Sequence, residues 1–348
     1  MRLVVILAIA LAAITPVAPM GARTVEACAG LIGSNGDVQL ARTTTLAAYA
    51  DGVEHYVTAF EFQGGGGEFG SLIPLPGVPS KIERGGDWTL QRLLLETEPE
   101  RVALPAALAE APLERAEVLQ EVRIDALDLT VLSGGAAAVA AWATEHGFRL
   151  PADAPEVLDF YARRSPIFLA AVFDGKAAAE RGQALGDGTP VHLTIPTSDP
   201  WVPLRILALG KQPADRVEAD VFLLTENAPS LLPLPGEGMA LTHSAPASEA
   251  LLNDLRSDKG MEWLPASAWL TKLEISISAG DLRYDLAVDA SGSGSPSRVA
   301  AGFDLPGELA SLATEKSAPE SAWVAWVVVA FLAAVALRLR PFVRRTRR

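Results

Sequence analysis

The chain has 348 residues, 49% of them hydrophobic and 20% charged, and a formal charge of -13. Residues 28–337 hold 21 basic and 41 acidic side chains, a net of -20, while Arg338, Arg340, Arg344, Arg345, Arg347 and Arg348 crowd the end. So acidic a surface repels phosphate backbones and argues against a nucleic-acid partner, and the single Cys28 excludes an intramolecular disulfide or a cysteine-based metal cluster.

Arg2 precedes an apolar run from Leu3 to Ile14. A positive start followed by a short apolar stretch is the layout of a secretion signal. The run is too short to cross a ~30 Å hydrocarbon core as a helix. Pro16 and Pro19 follow, and cleavage fits after Ala22 or after Ala27, so 1–27 is assigned to the signal. Cys28 invites a lipoprotein reading, but Glu26 is wrong for the lipid-attachment box, which favours a small buried residue.

Residues 28–289 read as an extracytoplasmic α+β domain, strand-rich with a few capped helices, either interlocked or in two subdomains meeting near 133–165. Early strands are expected at 37–48 and 53–62. Asp87 is placed to cap a helix over 88–97, with Leu90, Leu93 and Leu94 inward. In 121–132 the apolar parity slips near Ala126, which suggests a bulge. Ser133 is placed to cap 134–146, whose inner face is Val139, Trp142 and Ala143. Asp153 and Glu156 have capping-box spacing ahead of Val157, Leu158 and Tyr161. Strands are expected at 166–173, 190–195, 202–209 and Val217–Thr225, the last in a central position. A helix between Pro246 and Gly260 buries Ala247, Leu251 and Leu255. Leu273, Ile275 and Ile277, then Leu282, Tyr284, Leu286 and Val288, alternate as a hairpin over 270–288.

Residues 290–300 (ASGSGSPSRVA) read as a flexible linker, continuing as a stalk to 320. Ala322 to Leu337 carries no charge, and a transmembrane helix is expected over 321–338. Trp323 and Trp326 suit one headgroup layer; Arg338 and Arg340 anchor the other. The positive-inside rule sends the basic tail, 339–348, into the cytoplasm and the N-terminal domain outside, a single-pass arrangement in the cell membrane.

Gly65, Gly67 and Gly70 match G-x-G-x-x-G, but Pro74 and Pro76 follow where a dinucleotide site needs a helix. The segment 64–79 reads instead as a shaped loop, with Phe69, Leu72 and Leu75 as a candidate surface for recognition or for packing on the core. The four histidines are scattered without metal-ligand spacing. His55 lies beside Glu54 on a strand, where neighbours point to opposite faces and cannot share a surface. No catalytic, cofactor or metal residues are assigned, and no cofactor is expected.

Several segments together resemble a bacterial family known as domain of unknown function 2330. They are residues 27–31 (ACAGL), 42–45 (RTTT), 51–58 (DGVEHYVT), 69–79 (FGSLIPLPGVP) and 85–90 (GGDWTL), then 129–133 (LTVLS) leading to Trp142 and Gly147, 202–205 (VPLR) and 257–263 (SDKGMEW). The resemblance implies an exported, often membrane-anchored bacterial domain and supplies no activity. The expectation is a membrane-anchored, non-enzymatic domain binding an envelope protein or ligand; the alternative is an envelope hydrolase with a dispersed active site.

Overall fold

Alternating apolar residues build two packed sheets in this computed structural model, which describes residues 30–33, 42–60, 69–98, 121–125, 127–173 and 189–304. In chain order the strands are β1 (Gly30–Gly33), β2 (Arg42–Ala50), β3 (Val53–Phe60), β4 (Phe69–Leu75), β5 (Lys81–Arg84), β6 (Glu121–Ile124), β7 (Leu127–Ser133) and β8 (Ile167–Phe173). They continue as β9 (Thr189–Pro196), β10 (Trp201–Val202), β11 (Arg216–Thr225), β12 (Ser230–Leu232), β13 (Met239–Pro246), β14 (Trp269–Ser278) and β15 (Leu286–Asp289). The helices are α1 (Thr89–Thr97), α2 (Gly135–Glu145), α3 (Ala154–Ala162), α4 (Glu249–Ser257) and α5 (Arg298–Ala301), with a 3-10 turn at Arg205–Ala208.

The larger sheet runs β13-β14-β11-β2-β3-β9-β5, antiparallel except for the parallel β11–β2 pair. The second, antiparallel throughout, runs β1-β4-β8-β7-β6. Tyr56, Leu193, Val221 and Leu273 from one meet Ile73, Leu75, Leu129 and Leu169 from the other in a shared core. α2 and α3 cover the outer face of the five-stranded sheet through Trp142 and Leu158. α1 and α4 cover the seven-stranded one through Leu93 and Leu255. The result is four layers, helix–sheet–sheet–helix, with a small β10-β15-β12 sheet beside them. β8 is buried at every position, which explains its unbroken apolar run IFLAAVF. The α+β, strand-rich reading holds.

Several local expectations are corrected. The segment 270–288 is no hairpin: β11 and β13 occupy both edges of β14, so β15 pairs with β10 and β12 instead. The parity slip near Ala126 marks a tight turn and not a bulge, with Asp125 at φ 54 between β6 and β7. The strand expected over 202–209 stops at Val202, because the Asp285 carboxylate takes the amides of Leu204 and Arg205, both at 2.7 Å, and curls the chain. Asp87 does not cap α1; Asp258 accepts the amides of Asp87 and Trp88 at 3.0 Å and the Thr89 hydroxyl at 2.8 Å. Nor does Ser133 cap α2, whose N-cap is Gly134. Asp153 sits at the N-cap of α3 but takes the Gly210 amide, and Glu156 pairs with Arg205.

The linker expected from 290 is ordered to Asp304: Asp289 collects the Gly294 amide, Ser297 caps α5, and Ala300 and Ala301 are buried. Of the two roles left open for Leu72 and Leu75, packing on the core is the one they take. Both side chains lie in the core, because β4 runs between β1 and β8. Gly70 is needed for packing, since a Cβ there would press into Ile32 and Phe148.

No helix among the described residues is long and apolar enough to cross a membrane. The segment 1–27, Cys28, the residues 305–320 and the expected span with Trp323, Trp326, Arg338 and Arg340 lie outside the described residues, as does the tail.

Leu72→Ala and Leu75→Ala should each destabilise the protein by about 2–5 kcal/mol, the cost of a large-to-small change in a packed core. Urea unfolding measures it, and an unchanged midpoint for either variant would contradict the burial of that side chain.

Candidate functional site

β3 alternates so that His55, Val57 and Ala59 face the α1/α4 layer, while Glu54, Tyr56 and Thr58 face the other sheet. Glu54 and His55 therefore share no surface, as expected. His55 instead meets His192 of the neighbouring β9: its Nδ1 lies 2.9 Å from His192 Nε2. His192 stands opposite Glu83 of β5, with Nδ1 3.4 Å from Glu83 Oε1 but outside hydrogen-bond geometry. Lys81 holds the second Glu83 oxygen at 2.7 Å. Three adjacent strands thus carry a row of carboxylate, imidazole and imidazole.

Trp263 roofs the row, its ring 4.0 Å from His55 with 5° between planes and 4.9 Å from His192. Its segment is drawn down by Asp258 at the start of α1. Glycine is required at the contact: a Cβ on Gly86 would overlap the Asp258 carboxylate and the Thr89 hydroxyl, and Gly260 takes φ +83 against the Arg84 carbonyl. Three of the segments behind the family resemblance, 51–58, 85–90 and 257–263, thereby converge.

His192 is 1% exposed. Burial, then the neighbouring His55 and Lys81, push its pKa down to about 3. Burial also lowers His55, against the pull of Glu83. Both rings are neutral at neutral pH. We assign the His192 proton to Nδ1, facing Glu83, so that Nε2 accepts from His55 Nδ1–H and the His55 Nε2 keeps a lone pair. The row can orient His55 as a base or proton acceptor. No group of three or more His, Cys, Asp or Glu among the described residues is arranged to hold a metal ion.

On the other face of β3, Glu54 is 1% exposed and neither carboxylate oxygen makes a hydrogen bond. Burial raises its pKa to about 8; the nearby Trp201 amide opposes this without reaching hydrogen-bond geometry. Glu54 is a protonated acid at neutral pH.

Open space lies elsewhere. A depression of about 720 Å³ is bounded by the start of α3, the 3-10 turn, the chain after β14 and the end of α5. Arg205 lies in its wall, bonded to Glu156 at 2.6 Å and seated 4.2 Å over the Phe160 ring. Tyr284 stacks on Phe303 at 3.9 Å and 12°, and Asp153, Lys211 and Arg283 complete the charged lining.

Of the residues singled out in the sequence, His55 enters the imidazole row. Leu72 and Leu75 are buried away from both sites, and Phe69 is placed by its backbone pairing with Gly33 and Phe173. Sequence reasoning missed His192, whose signal was a lone histidine between Val191 and Leu193 on an apolar strand. It also missed Arg205, Tyr284 and Phe303, because Tyr284 was counted into a hairpin and Phe303 into a stalk.

The two strained titrations oppose each other. Glu54, with a folded pKa near 8 against 4.5, adds stability at low pH that is lost as pH rises between those values, about 1.4 kcal/mol per unit. His192, near 3 against 6.5, adds stability above 6.5 that is lost as pH falls. Between 4.5 and 6.5 the two slopes oppose each other, His55 adding to that of His192, and from 6.5 to 8 only the Glu54 slope remains. In Glu54→Gln the melting temperature should stop falling over the upper window and rise through the lower one. A profile identical to that of the parent chain would show that Glu54 is not the group responsible.

No curated protein matches the chain. Among solved structures it is similar to baculovirus P35 at 8% identity and TM-score 0.38, covering 73% of this chain and 97% of that one. It is likewise similar to P35 in the caspase-8/P35 complex, at 6% and 0.33, covering 72% and 91%. Identities and scores this low transfer neither fold nor function. A family model described as "Uncharacterized protein conserved in bacteria (DUF2330)" matches residues 24–227. The sequence likeness and that match agree, and the chain belongs to this bacterial family, domain of unknown function 2330.

Proposed function

We propose that this chain is a membrane-tethered extracytoplasmic domain of the bacterial envelope, which binds a ligand or protein partner in the depression beside Tyr284 without transforming it. The carrying observation is the depression itself, a roomy concavity whose walls combine an exposed aromatic face with fixed polar groups. Its position supports a tether. Phe303 lines it, and only residues 305–321 separate the described fold from the apolar run that begins at Ala322. That stretch spans at most about 60 Å fully extended, which keeps the site near the bilayer. The net charge of -20 over 28–337 disfavours nucleic acid as the partner.

A second reading, an envelope hydrolase, is favoured by the Glu83–His192–His55 row, which leaves a lone pair on His55. One experiment separates them. Tagged full-length chain, recovered from native membranes, should lose its partners on Tyr284→Ala combined with Arg205→Gln and keep them on His55→Gln, all variants retaining the parental circular dichroism. Loss on His55→Gln alone would move the site to the imidazole row.

For topology, a reporter after Arg348 should be active only in the cytoplasm and one inserted near Ser293 only outside. An external signal at the C-terminus would overturn the tether.

A further inference from the structure

The lining of the depression narrows the ligand class. Tyr284 is 38% exposed and lies flat on Phe303, with Arg298 5.3 Å from the centre of the Phe303 ring. Such a stacked column is rigid, and an aromatic face of this kind offers apolar contact at little entropic cost. It suits a flat ligand surface built of C–H groups, such as one side of a pyranose ring.

The Arg205–Glu156 pair lines the same depression. The Arg205 guanidinium is fixed by Glu156 on one side and Phe160 beneath, so donors and acceptors stand together as a preset fork. Adjacent hydroxyls, each donor and acceptor, match that pattern. The charge balance adds a further constraint. Arg205 is compensated by Glu156, and Asp153 is engaged by the Gly210 amide. Lys211 and Arg283 pair with no carboxylate among the described residues, so the lining sets Arg205, Lys211 and Arg283 against Asp153 and Glu156, one positive charge in excess on an acidic domain. A phosphate is the weaker match, since the start of α3, where it would gain most, already carries Asp153 and Glu156.

Resting on the binding-domain reading above, we infer that the depression takes a short oligosaccharide that carries a carboxylate. Tyr284 stacks on a sugar ring, Arg205 and Glu156 read its hydroxyls, and Lys211 with Arg283 receives the acid group. The volume of about 720 Å³ lies within the ~300–1,000 Å³ of small-molecule sites.

The test is calorimetric titration of the full chain in detergent with a tetramer of galacturonic acid, a tetramer of glucose and inorganic phosphate. The acidic tetramer should bind about tenfold more tightly than the neutral one, a difference near 1.4 kcal/mol. Tyr284→Ala should weaken both sugars. Lys211→Gln with Arg283→Gln should abolish the preference, the acidic and neutral tetramers then binding alike to protein of parental circular dichroism. Absence of binding by either sugar to folded protein overturns the inference, as does a preference that survives the double substitution or phosphate displacing the acidic sugar at equal concentration. If the sugars fail while Tyr284→Ala with Arg205→Gln still removes partners from membranes, the sugar assignment falls and the binding-domain reading stands. If partner recovery is also unaffected, both fall.

Discussion

Much of one end of the molecule hangs on the carboxylate of Asp285, which is fully buried. It accepts the amides of Leu204 and Arg205 and the Tyr161 hydroxyl, and it pairs with Arg164, whose other nitrogen reaches the Ala300 carbonyl. Arg164 is itself clamped between aromatic faces, 4.0 Å from Trp201 and 4.5 Å from Phe160. A buried ion pair is costly unless its partners are satisfied; here backbone donors complete the carboxylate's set, while the Arg164 Nε–H is left without a hydrogen-bond partner. The groups it gathers belong to α3, the 3-10 turn and α5, the same elements that bound the depression. The shape of the candidate site is thus set from beneath, by a charge that no ligand would touch.

How much of this was legible depends on the range of the interaction. The inward residues of the helices were readable, because a 3.6-residue period needs only local sequence: Leu90, Leu93 and Leu94 of α1 and Val139, Trp142 and Ala143 of α2 are buried as read. The alternation of β14 and the covered apolar run of β11 were readable for the same reason. What stayed hidden was supplied from far along the chain. Asp258 anchors the chain leading into a helix that begins at Thr89, His192 meets His55, and Asp285 bends the chain at Leu204. Local capping rules chose Asp87 and Ser133 because those residues sit where a cap should be; the fold had better donors and acceptors to offer from elsewhere. The Gly- and Ser-rich stretch after Asp289 misled in the opposite sense. Its composition suits a flexible chain, but its small side chains also allow the tight turn that Asp289 organises.

β3 shows how a single strand can hold two unrelated chemistries. Successive side chains point into different layers, so a protonated acid and a neutral imidazole sit at adjacent positions without sensing the same environment. Each is held in its uncharged form by burial. The strand is a partition, and what lies on one side of it says little about the other.

The parallel pairing of β2 with β11 governs the order in which the fold can be assembled. β2 is an interior strand whose neighbour on one side is not synthesised until residue 225, and β11 in turn needs β14, which ends at Ser278. A chain halted anywhere earlier leaves an apolar strand with a bare edge, the feature that invites mispairing between molecules. The family match ends at 227, after β11 and before its outer neighbour β14. For this protein the centre of the seven-stranded sheet joins strands far apart in the chain, and its edges are not all covered until β14 has been made.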